Sequence, residues 1–153
     1  MAWISFKGDT MSKSLLSFKV AGSLFAIDVK NTVEVVNMGD ITPAPGSDPH
    51  VVGMMSMRGE IVSIIDFGHY LTGSPSVDNS KGKIILLSKG GVRVGVLIDD
   101  IGMIIDMKDK ALELNPLAEY AGNSKVSHVL QEGSDLIQQV ILDPLFSDMD
   151  EAA

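Results

Sequence analysis

Residues able to do chemistry are few in this chain, and they are scattered. Histidine occurs at positions 50, 69 and 128 only. A metal ion needs three or four clustered ligands at set spacings, and none of the three carries such a motif. Asp66 stands three residues before His69, too little for a site. Cysteine is absent, which removes thiol nucleophiles, thiolate ligands and disulfides and is compatible with a reducing compartment. Gly-x-Ser-x-Gly, Gly-x-Gly-x-x-Gly and P-loop strings are missing. Asp99 and Asp100 are adjacent carboxylates, but neighbours on a strand point to opposite faces and could not share a substrate. Asp28, Asp66 and Asp99 each follow an isoleucine at a strand end, where a carboxylate accepts turn N–H groups. The expectation is a protein with no catalytic residues, no metal and no cofactor.

What remains suits binding. Residues 53–67 read Gly-Met-Met-Ser-Met-Arg-Gly-Glu-Ile-Val-Ser-Ile-Ile-Asp-Phe. Two β-prone apolar runs meet at Arg58-Gly59, and Gly59 supplies the residue tolerant of positive φ that a tight reversal needs. The turn leaves a fixed cation, Arg58, and an anion, Glu60, at the tip of an apolar hairpin. Glu34 lies on another β-prone segment, and its charge could pair with Arg58. Met54, Met55 and Met57 sit beside them, flexible side chains that suit an adaptable surface or a core.

These residues must be positioned by short strands. Runs at 15–20 and 24–27 flank Ala21-Gly22-Ser23, and runs at 83–87 and 92–98 flank Lys89-Gly90-Gly91. Runs at 126–130 and 136–142 flank Glu132-Gly133-Ser134, so each pair reads as a hairpin. Residues 32–38 and 101–107 read as further strands. Three prolines keep residues 41–49 irregular. A helical turn is expected at 49–52, with Asp48 as its cap, another at 67–71, and a short helix at 144–149 opened by Asp143-Pro144. Residues 111–122 are mixed. About nine or ten short strands, with turns every 8–12 residues, indicate an all-β barrel or sandwich.

A weak echo runs through the chain. Leu24-Phe-Ala-Ile-Asp-Val and Val94-Gly-Val-Leu-Ile-Asp each follow a glycine turn and precede another strand. This supports two similar small barrels, with residues 72–82, rich in Gly, Ser, Pro and Asn, as the boundary between halves. Residues 1–10 precede the first β-pattern and a second plausible start at Met11, and are expected to stand outside a single domain spanning 11–150.

Composition bounds the partners. The chain has 153 residues, enough for one domain with a real core, and is 45% hydrophobic and 21% charged. Aromatics make up only 5%, so the core should be aliphatic. The net charge is −8, and no Lys/Arg cluster offers a footprint for nucleic acid or an anionic membrane. No apolar run approaches the roughly 18 residues of a membrane helix.

In order and spacing, several strings resemble the CheW family of bacterial chemotaxis coupling proteins. They are Phe18-Lys-Val-Ala-Gly, Phe25-Ala-Ile-Asp-Val, Val33-Glu34-Val35, Ile41-Thr-Pro, Gly53-x4-Arg58-Gly59-Glu60-Ile-Val-x-Ile-Ile-Asp-Phe and Val94-Gly-Val-Leu-Ile-Asp. The resemblance implies two five-stranded, SH3-like β-barrels packed together, with short helices. It also implies a non-enzymatic, cytoplasmic adaptor that links chemoreceptor cytoplasmic tips to a CheA-type histidine kinase through a receptor-facing groove between the barrels. It puts the receptor-contacting arginine on Arg58, its partner glutamate on Glu34 and a groove residue on Gly53. Met57, Val29 and Thr32 complete the expected receptor-binding set, and no kinase-contacting residue is assigned. The chain departs from the family pattern at Ser56-Met57, where Asn-Leu is usual, and at Ser63, where Pro is usual. Thr32 stands at a generally apolar position, and 126–132 lacks the usual Gly-rich sequence. Two alternatives stay open: a CheW-like scaffold of a dedicated or non-chemotaxis signalling array, and a small β-barrel enzyme or ligand carrier, which would need a convergent polar pocket.

Overall fold

The computed structural model describes residues 2–5, 14–44, 48–74, 81–107, 113–114 and 125–152. Most of them form strands: β1 (Ala2–Ser5), β2 (Ser14–Val20), β3 (Ser23–Asp28), β4 (Thr32–Asn37), β5 (Val51–Met57), β6 (Glu60–Asp66), β7 (Lys83–Lys89), β8 (Val92–Ile98), β9 (Asp100–Asp106), β10 (Glu113–Leu114), β11 (Val126–Glu132) and β12 (Asp135–Val140). A 3-10 turn (Val29–Asn31) and the helices α1 (Phe67–Thr72) and α2 (Asp143–Ala152) complete the described elements. No helix among the described residues is long and apolar enough to cross a membrane.

The strands form two sheets, β1-β4-β7-β8-β6-β5 and β10-β11-β12-β3-β2-β9. Five strands of each follow one plan. In the first sheet β8 lies antiparallel to β7 and parallel to β6, and in the second β3 lies antiparallel to β2 and parallel to β12. The sixth strand of each, β1 or β10, is an addition to the five-stranded expectation. Neither sheet closes fully by strand pairing, because β5 and β1 end the first and β10 and β9 end the second.

Two-sided burial explains the continuous apolar runs. On β7, Ile84 and Leu86 point into a cluster with Val36, Met57, Val62, Ile64 and Leu97, drawn from five strands of the first sheet. Ile85 and Leu87 point the other way, into a core shared by both sheets and both helices. The second sheet curls likewise around Leu15, Ala26, Ile105, Leu130 and Ile137. A strand buried on both faces reads as a run rather than an alternation.

The core is mainly aliphatic, as expected, and its few aromatics lie in the shared part. Phe18, Phe25, Phe67, Tyr70 and Phe146 are all buried in it. The Phe18 ring stacks on Phe67 at 5.5 Å and on Phe25 at 6.1 Å. Few aromatics suffice because they are gathered in one place.

The division of the chain also differs from expectation. Residues 72–82 do not separate two halves, since β7 and β8 follow them and join the sheet of β4, β5 and β6. The chain instead starts the second sheet with β2 and β3, crosses to build the first from β4 to β8, and returns at β9. The echoed Ile-Asp pairs, Ile27-Asp28 and Ile98-Asp99, stand at these two crossings. Each echo ends a strand that must pass to the other sheet.

Smaller differences are local. Ala2–Ser5 pairs with β4, although residues 1–10 were expected outside the fold. In place of a helical turn over 49–52, Pro49 and His50 make a single turn closed by Val51 N–H donating to the Asp48 carbonyl at 2.9 Å, and residues 51 and 52 already belong to β5. Most of the mixed stretch 111–122 lies outside the described residues.

Candidate partner-binding site

The Arg58-Gly59 turn sets the site. Both residues have positive φ, 52° and 75°, the pattern of a type I′ hairpin whose twist matches its strands. A non-glycine residue in this region costs roughly 1–2 kcal/mol. Arginine therefore occupies the tip against local backbone preference, as Ala21 does at the β2–β3 turn.

The Arg58 side chain reaches β4. Arg58 Nε donates to Glu34 Oε1 at 2.9 Å. The partners differ in surroundings: the Arg58 side chain is 47% exposed and that of Glu34 only 8%. Strands β5 and β4 are the two ends of the five-stranded set, so the ion pair spans the seam where the curled sheet fails to close. The same seam is stitched by backbone. Met54 N–H donates to the Thr42 carbonyl at 2.7 Å, and Thr42 N–H to the Met54 carbonyl at 2.8 Å. Gly53 permits this approach, since a Cβ there would lie 2.3 Å from the Thr42 oxygen and 2.6 Å from Ile41 Cγ2. On the other flank of the tip, Arg93 Nη1 donates to Glu60 Oε2 at 3.2 Å.

An exposed ion pair contributes about 0–1 kcal/mol. Here one partner is buried, so removing Arg58 would leave a carboxylate away from water without its cation, at about 1–3 kcal/mol. The arrangement holds a guanidinium at the tip with about half of the side chain exposed.

The remaining expected residues divide by exposure. Met57 is 5% exposed and belongs to the core inside the first sheet, so it cannot be a surface contact. Thr32 is also buried, and its hydroxyl donates to the Val29 carbonyl at 2.6 Å, closing the 3-10 turn between the sheets. Val29 is half-buried against the shared core. Gly53 is buried and works through its backbone. Glu34 and Arg58 come together; Val29 and Thr32 stand at the crossing between sheets rather than beside the hairpin tip.

Sequence reasoning passed over Ile61, which is 76% exposed and pairs across the hairpin with Ser56. Met54 on the same hairpin is 36% exposed. The signal lay in the period-2 pattern, where Val62 and Ile64 point inward and Ile61 outward. The tip is thus a cation flanked by apolar surface, a combination that suits a protein partner.

Several other titratable groups have structural partners. Asp28 Oδ1 accepts from Lys30 N–H at 3.0 Å and Asp66 Oδ1 from His69 N–H at 3.1 Å. Asp100 is exposed, and its hydrogen bond from Lys83 holds its carboxyl below the usual range. Burial in the shared core, then the nearby Asp148 charge, raise the Tyr70 hydroxyl above its ordinary value. His50 and His69 are not far apart, as their numbers suggest: their rings meet edge-on at 5.0 Å. Among the described residues no three His, Asp or Glu side chains are grouped to hold a metal.

The CheW-like domain family matches residues 14–148. Chemotaxis protein CheW of Thermotoga maritima is 29% identical over 124 residues, 80% of this chain and 81% of that protein. Chemotaxis protein CheW of Rhizobium meliloti is 27% identical over 144 residues, 92% of each chain. The crystal structure of scaffolding protein TtCheW from Thermoanaerobacter tengcongensis has the same fold, with a TM-score of 0.75 at 22% identity over 86% of this chain and 90% of that one. The family match spans nearly the whole chain, both sheets included, and the chain belongs to the CheW-like domain family.

Proposed function

We propose that the protein is a non-enzymatic adaptor of chemotaxis signal transduction, coupling chemoreceptor cytoplasmic tips to a CheA-type histidine kinase in the cytoplasm. The observation that carries the reading is the Arg58–Glu34 pair at a hairpin tip. Glu34 accepts from the Arg58 Nε and holds the guanidinium at the tip, where its exposed half presents a permanent charge to carbonyls or a carboxylate on a receptor helix. Exposed Ile61 and Met54 offer an apolar flank for the stripe of such a helix. The relatives named for chemotaxis, and the family's place as a scaffold, support the same partners.

Calorimetric titration with a receptor-tip fragment tests it. Arg58→Ala is expected to weaken binding by about 2 kcal/mol or more, as for an interface anchor. Arg58→Lys should restore only part, because an ammonium cannot fork. If Arg58→Ala binds the fragment as tightly as the unaltered protein, the hairpin tip is not the receptor site.

A further inference from the structure

We infer that β1 is a detachable edge strand, and that the outer edge of β4 which it covers is a docking site for an extended peptide segment, occupied at rest by residues 2–5 of the same chain. The inference stands on the topology and does not depend on what binds at Arg58.

Four observations carry it. First, β1 pairs with β4 alone among the strands, and the two are not consecutive: the next described strand, β2, lies in the other sheet. Second, the pairing is short and irregular. Ala2 faces Val36, Ile4 faces Val35 and Ser5 faces Glu34, with a register shift between the first two pairs. So few ladder bonds only narrowly offset the entropy of ordering the segment. Third, the sheet does not need it. The second sheet follows the same plan, and its equivalent strand, β9, has no strand on its outer side among the described residues. Fourth, the pairing ends beside the candidate site, at Glu34.

Removing β1 turns β4 from an inner strand into an edge strand with a row of unpaired N–H and C=O groups. Such an edge accepts another extended segment by strand addition. The segment β1 is then the built-in competitor for that edge, and its release would expose a ladder that starts at the residue anchoring Arg58.

The test compares the full chain, a protein beginning at Met11, and the full-length Ile4→Pro variant, in which proline denies the ladder a donor. Hydrogen exchange of the β4 amides is expected to rise about tenfold in both variants, while β7 and β8 stay protected. The synthetic peptide Met-Ala-Trp-Ile-Ser-Phe-Lys-Gly-Asp-Thr, residues 1–10, should restore β4 protection in the shortened protein and bind the full chain far more weakly. Unchanged β4 exchange in both variants would overturn the inference, as would equal peptide binding to the full and shortened proteins. A fall in melting temperature beyond about ten degrees in the shortened protein would also overturn it, by making β1 an integral strand. A full chain that dimerises only when β1 is present would show the strand exchanged between copies and overturn its occupancy within one chain.

Discussion

The two sheets share strand order, strand directions and even the positions of their irregularities. The register shift at Thr32/Glu34 on β4 matches that at Leu16/Phe18 between β2 and β9, and the shift at Val51/Gly53 on β5 matches that at Val126/His128 on β11. Their seams differ. In the second sheet the strand outside β11 is β10, with Leu114 opposite His128. In the first sheet, among the described residues, only Thr42 lies there, bridged to Met54, and the position equivalent to His128 is Gly53. The hairpin tips differ as well: Gly133 and Ser134 in the second sheet, Arg58 and Gly59 tied sideways to Glu34 in the first. One backbone plan therefore serves two purposes. Where the seam is closed by a tight backbone approach and an ion pair, it also presents a charge.

The contrast can be broken most severely at Gly53. Gly53→Val is expected to cost about 2–3 kcal/mol, since the new side chain must displace the Thr42 backbone. His128→Ala at the matching position should cost under about 1 kcal/mol, because that site already accommodates a side chain. Equal losses in denaturant titrations would show that the two seams are closed in the same way.

A smaller effect separates the ion pair from its turn. Arg58→Ala should cost about 1–2 kcal/mol, and Glu34→Ala a similar amount. The double variant should lose less than the sum, because neither charge is left alone. Arg58→Gly should recover part of the loss by relieving the strained backbone, while leaving binding weak. Additive losses in chemical unfolding would mean that the carboxylate does not hold the guanidinium.

The shared core sharpens the comparison from the alkaline side. The Tyr70 hydroxyl is raised in the folded protein, so it remains protonated there at pH values where the unfolded chain ionises. Its contribution is fully present below the ordinary tyrosine value of about 10 and is lost as pH rises through the higher folded value. Stability should decline between those two values, and Tyr70→Phe should flatten the decline. An identical alkaline slope in the variant would place the titration elsewhere.

The smallest effect is expected where β9 meets the first sheet. The Asp100 carboxyl is lowered by Lys83, so its stabilisation is present above the unfolded value and fades as pH falls through the folded one. The residue is exposed, and Asp100→Asn should cost only a few tenths of a kcal/mol, about the level of a solvated pair. A loss above about 1 kcal/mol would make the contact between the sheets polar as well as apolar.

Local features were the readable ones. All four glycine-bearing hairpins stand where the sequence places them, because positive φ is a requirement that few residues meet. The carboxylate caps at Asp28 and Asp66 were readable for the same reason, being settled within three residues. The Arg58–Glu34 contact was foreseen from charge and resemblance, yet Met57 and Thr32 proved buried. Burial depends on which face of a bulged strand turns inward, and a register shift such as that beside Thr32 reverses the alternation without any mark in composition. Long-range facts were not readable. Nothing in the glycine-, serine- and proline-rich residues after α1 shows that the next hairpin joins the same sheet, and nothing at His50 shows that His69 will face it.

The two crossings of the chain carry a consequence for how the molecule assembles. Apart from β1, the first sheet is one unbroken stretch, from β4 to β8, set inside the second like an insertion between β3 and β9. The inner sheet can form from contacts near in sequence, whereas the outer one must join Lys19 to Asp100 across everything between. Contacts so distant in sequence slow folding. The natural order is therefore inside first: the nested sheet condenses, brings the flanking segments together, and the outer sheet closes around its product.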